Sequence, residues 1–486
     1  MPSVLPHNNV AARQFLTSFK SAFTTRSDGS TWPNWERTWI HADQYFRALL
    51  RPGKRKSITG LASRVGAEQE RLERFVRESA WEPAAVHDQL RATVPDAMNG
   101  PDAAIIVDGM GIPKQGHHSV GVGSQWCGAT TSVANCQVTI NCTLARPGAD
   151  RNADQRTWPL GSRLYLPKEW IGEDESVYDN QQQREQYAQR RADAAIPVDI
   201  SHQPKYEIAA DLIEQALRAD IEHACVLGDA NFGRRSSFRE RLRELDEPYV
   251  LALETGGLHV VAESAPVLEP GPTDKRGPPR QYHTVPDDID PEPSAEIAAQ
   301  LDDDDWTDVT WNEGTKGDMT GSFYRTRVRV CTDAYFGRVG DETGWLLLQR
   351  DHHSGTNDGD GELAAWLCWG LDESSLDDLV EWAHLRWTIE QYHRDIKQVL
   401  GADEFQGRTW RGFHHHMAVV MLTQAFVAIH RLETGGGNGG FDSFEEVTRQ
   451  LVRIAAIQRL IDEHGLDRAT AETIGTDMLR GFSEWS

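Results

Sequence analysis

"IIVDGMGIPKQG", residues 105 to 116, is an apolar run, Ile105 to Val107, that stops on Asp108 and then gives up its side chains at Gly109 and Gly111. An aspartate at the end of such a run, unshielded by its glycine neighbours, presents a charge to a ligand; an ordinary loop begins the same way. "VLGDANFG" (226 to 233) repeats the pattern, with Asp229 closing the run and Gly228 and Gly233 beside it. Strand-end aspartates of one sheet can lie side by side, because neighbouring strands run about 4.8 Å apart, and both carboxylates then reach one divalent cation. Like charges that close repel unless a cation or proton intervenes. Hard oxygen donors favour magnesium or manganese.

The surrounding pattern is that of a mixed α/β sheet. "AAIIVD" (103 to 108), "SVGVGSQW" (119 to 126) and "NCQVTINCTLA" (135 to 145) are β-branched, partly alternating and separated by glycine-containing turns, as consecutive antiparallel strands are. A helical stretch at 205 to 222 followed by the apolar run at 224 to 233 implies a parallel crossover, and "PYVLALE" (248 to 254) is a further strand. Residues 262 to 305, rich in proline, glycine and acids, read as a long exposed loop or disordered insert. Strand-like pieces resume at 323 to 330, 344 to 351 and 363 to 371. Upstream, residues 43 to 50, 57 to 66 and 68 to 79 have apolar positions at helical spacing, the last two forming a candidate helix-turn-helix about Gly66. Downstream, 375 to 401 reads as one long helix and 415 to 433 as an interior helix, apolar nearly all round. A glycine linker then leads to a last helix opened by a capping box at Ser443 and Glu446.

A third acid lies in the 375 to 401 pattern. Arg386, Glu390 and Lys397, at spacings of four and seven, form one stripe along a helix. A charge ladder on a solvated face has the same spacing. Trp382, Leu385, Trp387 and Ile389, however, give this helix a large apolar surface, so it is expected to pack on the sheet and carry Glu390 towards the aspartates.

The formal charge of −24 over 486 residues argues against a nucleic-acid partner, since phosphate neutralisation needs a basic surface. Yet arginine far outnumbers lysine, and acidic runs such as "DDDD" (302 to 305) fit adaptation to concentrated salt, the halophilic pattern. At molar salt the screening length is about 3 Å, so local arginine contacts outweigh overall charge. No stretch approaches the roughly 20 apolar residues of a membrane span, and the N-terminal residues lack the charged-then-apolar order of a secretory signal. A soluble, cytoplasmic protein with no membrane partner is expected. The six cysteines show no CxxC pairing and read as reduced, buried residues. The histidines at 117, 118, 352, 353 and 414 to 416 read as surface or capping residues, because consecutive helical positions point in different directions.

"VDGMGIPKQGHHSVGVGSQWCG" with "VANCQVTI", then "WPLGSRLYLPKEW", "GDANFG" and "LRWTIEQYHRDIKQVLGADEFQGRTWRGFHHH" occur in that order within roughly residues 30 to 430. Together they resemble the DDE transposases of insertion sequences, within the RNase H-like superfamily, and are most similar to the insertion sequence 701 family. The resemblance implies an RNase H-like mixed sheet flanked by helices and interrupted by a β-rich insertion. Residues 1–100 would be an N-terminal helical, DNA-binding domain; 101–254 and 375–433 the two parts of the catalytic core; 255–374 the insertion; 434–486 the linker and C-terminal helix. Asp108, Asp229 and Glu390 would be the metal-binding triad for two Mg2+ (or Mn2+) ions, which in such sites lie about 3.5 to 4 Å apart and serve both strand cleavage and strand transfer. The related insertion sequence 4 group carries the helix signature Y-x2-R-x3-E-x6-K. Arg386, Glu390 and Lys397 match it, and Ala383 stands where tyrosine is expected.

The expected partner is DNA, terminal inverted repeats and target alike, with a homodimer assembled on it. Arg386 and Lys397 would hold phosphates, Arg by bidentate contact and Lys as a point charge. Further candidate DNA contacts are Lys54, Arg55, Lys56, Arg64, Lys114, Arg394, Arg408, Trp410 and Arg411, with Trp306 and Trp311 as stacking surfaces for an unpaired base. The rival readings are an endonuclease of the same fold without strand transfer and a DNA-binding regulator that has lost catalysis. A paired-carboxylate glycosidase has no need of the basic helix stripe.

Overall fold

The computed structural model describes residues 14–51, 53, 55–147, 156–172, 174–271, 280–314, 317–350 and 363–434, together with 448, 453, 457, 460, 461 and 464–474. Lys54, the histidines at 352 and 353, the 435–440 linker and the capping box at Ser443 and Glu446 lie outside the described residues.

Among the described residues, twelve strands form one mixed sheet. In chain order they are β1 (Ala104–Pro113), β2 (Gly123–Cys127), β3 (Ser132–Arg146), β4 (Arg156–Leu164), β5 (Cys225–Gly228), β6 (Tyr249–Leu253), β7 (His259–Ala262), β8 (Glu292–Pro293), β9 (Thr307–Gly314), β10 (Gly317–Asp333), β11 (Arg338–Arg350) and β12 (Leu363–Trp369). Their spatial order is β2-β3-β1-β5-β6-β12-β11-β10-β7-β8, with β4 also on β3 and β9 also on β10. At its centre β1 runs antiparallel to β3 and parallel to β5, and β5 is parallel to β6. This is the mixed sheet expected from the sequence. Ile105, Ile106, Val107, Val226 and Leu227 are fully buried on these strands, which explains their continuous apolar runs: strands covered on both faces have no solvent side to make polar. The crossover helix Lys205–Leu217 packs on β1, β3 and β4 through Ile208, Ala209, Leu212 and Ile213.

Several elements differ from the sequence expectation. Of the 119 to 126 run only 123 to 126 is strand, within β2. The stretch "WPLGSRL" is β4, a strand the periodicity did not announce. Within 262 to 305 the described residues include ladder bridges Leu268↔Thr284 and Gly271↔Arg280, strand β8 and the helix Ser294–Ala299, so much of that acidic segment is structured. Strands β7 to β12, all from the 255–374 stretch, continue the central sheet through the β6–β12 pairing.

The expected helix over 375 to 401 is two helices, Leu376–Leu385 and Trp387–Gln398, meeting at Arg386. The Thr388 hydroxyl takes the Leu385 carbonyl at 2.8 Å, and the Ile389 N–H bonds Arg386 three residues back instead of Leu385 four back. A side chain inserted into the ladder in this way tightens and redirects a helix. Trp387 is consequently 50% exposed rather than packed.

The interior helix, Trp410–Thr434, packs against β4 and the N-terminal helices Trp35–Leu50, Gln69–Glu78 and Pro83–Ala92. Its histidines are not surface residues. His415 is fully buried, stacked 4.0 Å from the Trp81 ring, with its ring nitrogens at the Val76 and Trp81 carbonyls; His416 accepts from the Tyr45 hydroxyl and donates to Gly401. Burial pushes His414, His415 and His416 each down to about 4, so all three are neutral; His415 and His416 tie the helix to the N-terminal helical segment, and half-buried His414 ties it to Leu164 of β4. All six cysteines are free and buried. Among the described residues no helix is long and apolar enough to cross a membrane.

Candidate active site

Asp108 sits within β1, where the register places Val107 beside Gly228 and therefore Asp108 beside Asp229 at the end of β5. The glycines around them answer to different neighbours. At Gly111 a Cβ would lie 2.7 Å from the Cys127 thiol, because the end of β2 curls back over β1; at Gly233 it would lie 2.0 Å from the Ala252 carbonyl oxygen on β6. Gly233 admits no side chain without moving backbone, whereas at Gly111 the Cys127 thiol would have to give way.

Asp229 opens the short helix Ala230–Gly233. Its Oδ1 accepts from the N–H groups of Asn231 (2.9 Å) and Phe232 (3.2 Å), and its Oδ2 accepts from the Asn231 amide at 2.9 Å. The capping bonds fix the carboxylate in place. Asp108 accepts one bond, from the Gly109 N–H at 2.6 Å. Its side chain is 15% exposed. Burial pushes its carboxyl up to about 7, the Asp229 charge adds to the rise, and Arg386 opposes it.

Glu390 comes from the helix Trp387–Gln398, which packs on β1, β3 and β4 through Ile389, Tyr392, His393 and Ile396. Its side chain is 46% exposed, and it meets Asp108 only through Arg386: the guanidinium donates to Glu390 at 2.7 Å and lies 4.0 Å from Asp108. Burial works against the Arg386 charge, but Asp108, Glu390 and Asp229 together hold it above its ordinary value. One cation thus feels all three acids. Among the described residues, however, no three His, Cys, Asp or Glu side chains converge closely enough to hold a metal as they stand. Asp108 and Asp229 fit a divalent cation in chemistry and placement: hard oxygens on adjacent strands, one buried and short of hydrogen bonds. Glu390 is paired with Arg386 instead.

Lys397, two turns beyond Glu390, is lowered by burial, with Asp403, Cys127 and Asp108 favouring its charge. Lys205, which the spacing of motifs did not single out, stands over the Tyr165 ring (4.9 Å) and is likewise lowered by burial, with Asp229 among the groups that favour its charge. It stands at the start of the crossover helix Lys205–Leu217.

The remaining sequence candidates are spread more widely. Arg55, Arg394, Arg408 and Arg411 are exposed. Arg64 is half-buried and donates to the Arg55 carbonyl at 2.6 Å. Lys56 is 5% exposed, and its ammonium donates to the Leu49 and Arg51 carbonyls, so it is held inside the chain and is not a surface base. Lys114 donates to the Asp403 and Phe405 carbonyls at 3.0 and 2.9 Å, and with Arg408 and His118 it lines an open cleft of about 190 Å³. Trp410 is half-buried with its ring 4.1 Å from that of His414. Trp306 lies under Arg350, and Trp311 stacks on His384 at 3.8 Å; both are packing residues in this structure.

The family model described as DDE superfamily endonuclease matches residues 33–318. The chain belongs to the DDE endonuclease superfamily. A second model, the transposase DDE domain, matches residues 305–425, so the two span the sheet and the Glu390 helix, and the enzyme is of the DDE transposase type. No curated protein matches this DDE enzyme in sequence. Among solved structures, the cryo-EM structure of a piggyBac transposase synaptic complex with hairpin DNA matches at 11% identity, covering 95% of this chain and 84% of that one, with a TM-score of 0.40, a likeness too slight to argue from.

Proposed function

We propose that this DDE transposase cuts the DNA strands at the ends of an insertion sequence and joins them to a target in cut-and-paste transposition, with Asp108, Asp229 and Glu390 as its metal-binding acids. What carries the reading is the Arg386 guanidinium, 2.7 Å from Glu390, 4.0 Å from Asp108 and under the influence of Asp229, which ties acids from three distant segments to one spot.

Two magnesium or manganese ions, when bound, activate the attacking oxygen and stabilise the leaving oxygen of a phosphodiester. The chain's own groups supply the rest. Asp108 and Asp229 are held rigidly by β1 and by the capping bonds of Asp229. Arg386 exchanges its carboxylate partners for a DNA phosphate, freeing Glu390 to complete the triad. Lys397 contributes a second cation on the same helix, and Lys205 a third beside Asp229. The exposed Arg55, Arg394, Arg408 and Arg411, with the half-buried Arg64 and Lys114, contact the backbone phosphates. Because two DNA ends must meet, a homodimer forms on DNA.

The test uses a supercoiled plasmid carrying this reading frame with its native flanking DNA. In Mg2+ the wild-type protein nicks and then joins strands at the flanks. Asp108→Asn, Asp229→Asn and Glu390→Gln each lower cleavage by at least about a thousandfold while leaving plasmid binding within about threefold. Full cleavage by any one of them removes that residue from the triad, and cleavage without joining in the wild type reduces the enzyme to an endonuclease.

A further inference from the structure

On the face of β3 that carries Asn141, the residues Gln137, Thr139, Asn141 and Thr143 are all polar and all buried. Interior strand faces are normally apolar, and a polar group is kept there when its hydrogen bond has work to do. Asn141 stands directly across the β1–β3 ladder from Asp108, so both side chains project from the same face. Its amide Nδ2 donates to His393 Nε2 at 3.0 Å. His393 lies three residues after Glu390, on the same side of the helix Trp387–Gln398. Both residues are buried, Asn141 completely, and the amide oxygen has no protein partner. This is a buried hydrogen bond joining the body of the glutamate helix to the aspartate strands; besides the looser Arg386–Asp108 ion pair (4.0 Å) at its N-cap, the helix carries buried Ile389, Tyr392 and Ile396, whose apolar contacts resist sliding and rotation poorly because they have no preferred direction.

We infer that Asn141 and His393 are a positioning pair, a directional latch that sets the rotation of the Glu390 helix over Asp108 and Asp229. The inference rests on the triad reading above. A helix of about 2.3 Å radius that rolls by one residue, about 100°, swings a carboxylate several ångströms from its place, and misplacement by about 1 Å at a reacting centre costs about a hundredfold in rate. The latch acts through Glu390 and touches neither DNA nor metal.

The experiment compares Asn141→Leu, His393→Phe, the double variant, His393→Gln and Glu390→Gln as full-length proteins, measuring Mg2+-dependent cleavage of the plasmid above across substrate concentrations. A latch predicts that each apolar single lowers kcat by about 30- to 100-fold with KM within twofold, that the double falls no further than the worse single because one interaction has been removed twice, and that His393→Gln, whose amide still accepts the bond, recovers to within about fivefold of wild type. Near-wild-type kcat in both singles overturns it, as do losses that multiply in the double or a His393→Gln variant as impaired as His393→Phe. Should either apolar variant fail to fold in thermal melts, His393→Gln against wild type decides. A dead Glu390→Gln beside fully active latch variants refutes the latch alone, whereas an active Glu390→Gln refutes the triad reading on which it rests.

Discussion

Asp108 is a residue whose local conditions are unfavourable on their own terms: mostly buried, accepting a single backbone bond, and beside a second carboxylate. Such stored repulsion is the kind of cost that functional sites carry. In metal-free protein at pH 8, Asp108→Asn is therefore expected to raise stability, by about 1 to 3 kcal/mol, while abolishing cleavage. Thermal melts in a chelator check this, and an unchanged or lower midpoint means that Arg386 already neutralises the pair. The sequence pattern reads both aspartates as strand ends. This holds for Asp229, which follows Cys225–Gly228, but not for Asp108, since β1 runs on through its glycines to Pro113: the antiparallel pairing with β3 continues past the acid, and glycine does not stop a ladder that has a partner strand. The place of Arg386 among the acids was not legible. Its spacing to Glu390 fits an exposed charge ladder equally well, and only the fold shows that its guanidinium also lies near Asp108.

Elements obey the same division. The central strands were readable from apolar continuity, whereas β4 escaped because Arg156, Pro159, Gly161 and Arg163 interrupt its pattern and its buried residues are recognisable only once β3 lies beside it. The break at Arg386 depends on a hydroxyl bonding back to Leu385, which no hydrophobic period records. For the short helix Ala230–Gly233, packing on the β6 backbone requires glycine at its end, so Gly233→Ala is expected to cost about 2 kcal/mol and to lower cleavage by displacing Asp229, as chemical denaturation and the plasmid assay would report. The interior helix gives a pH prediction. His414, His415 and His416 hold folded values of about 4 against about 6.5 when unfolded, so the unfolded chain takes up the protons first. Their contribution is fully present above pH 6.5 and is lost as pH falls towards 4, by up to about 3 kcal/mol per histidine. Melting midpoints should drop steeply across that window, and His415→Gln should make the drop shallower; equal slopes for both proteins would deny the histidine its role.

At the scale of the molecule the dominant facts are the continuous sheet and the charge of −24. Excess negative charge repels itself in the compact state, and salt screens it. Raising KCl from 0.1 to about 2 M is expected to raise the thermal midpoint by several degrees, beyond what the Hofmeister contribution of the salt supplies to a neutral protein of similar size. A flat response would mean that the acids are already balanced by local arginines such as those facing Glu342 and Glu263. DNA binding at the exposed arginines should weaken over the same range.

What the chain's order of residues determined unaided was the mixed α/β character, the strand end at Asp229 and the shared helix of Glu390 and Lys397, because each is written in periods of two to seven residues. Tertiary structure alone decided that Arg386 bridges Asp108 and Glu390, that Asp229 favours the charge of Lys205, that Lys56, His415 and His416 are interior, and that Asn141 meets His393 across 252 residues. Those contacts arise when strands and helices close over one another, and a side chain's partner across such a closure leaves no mark on the residues next to it.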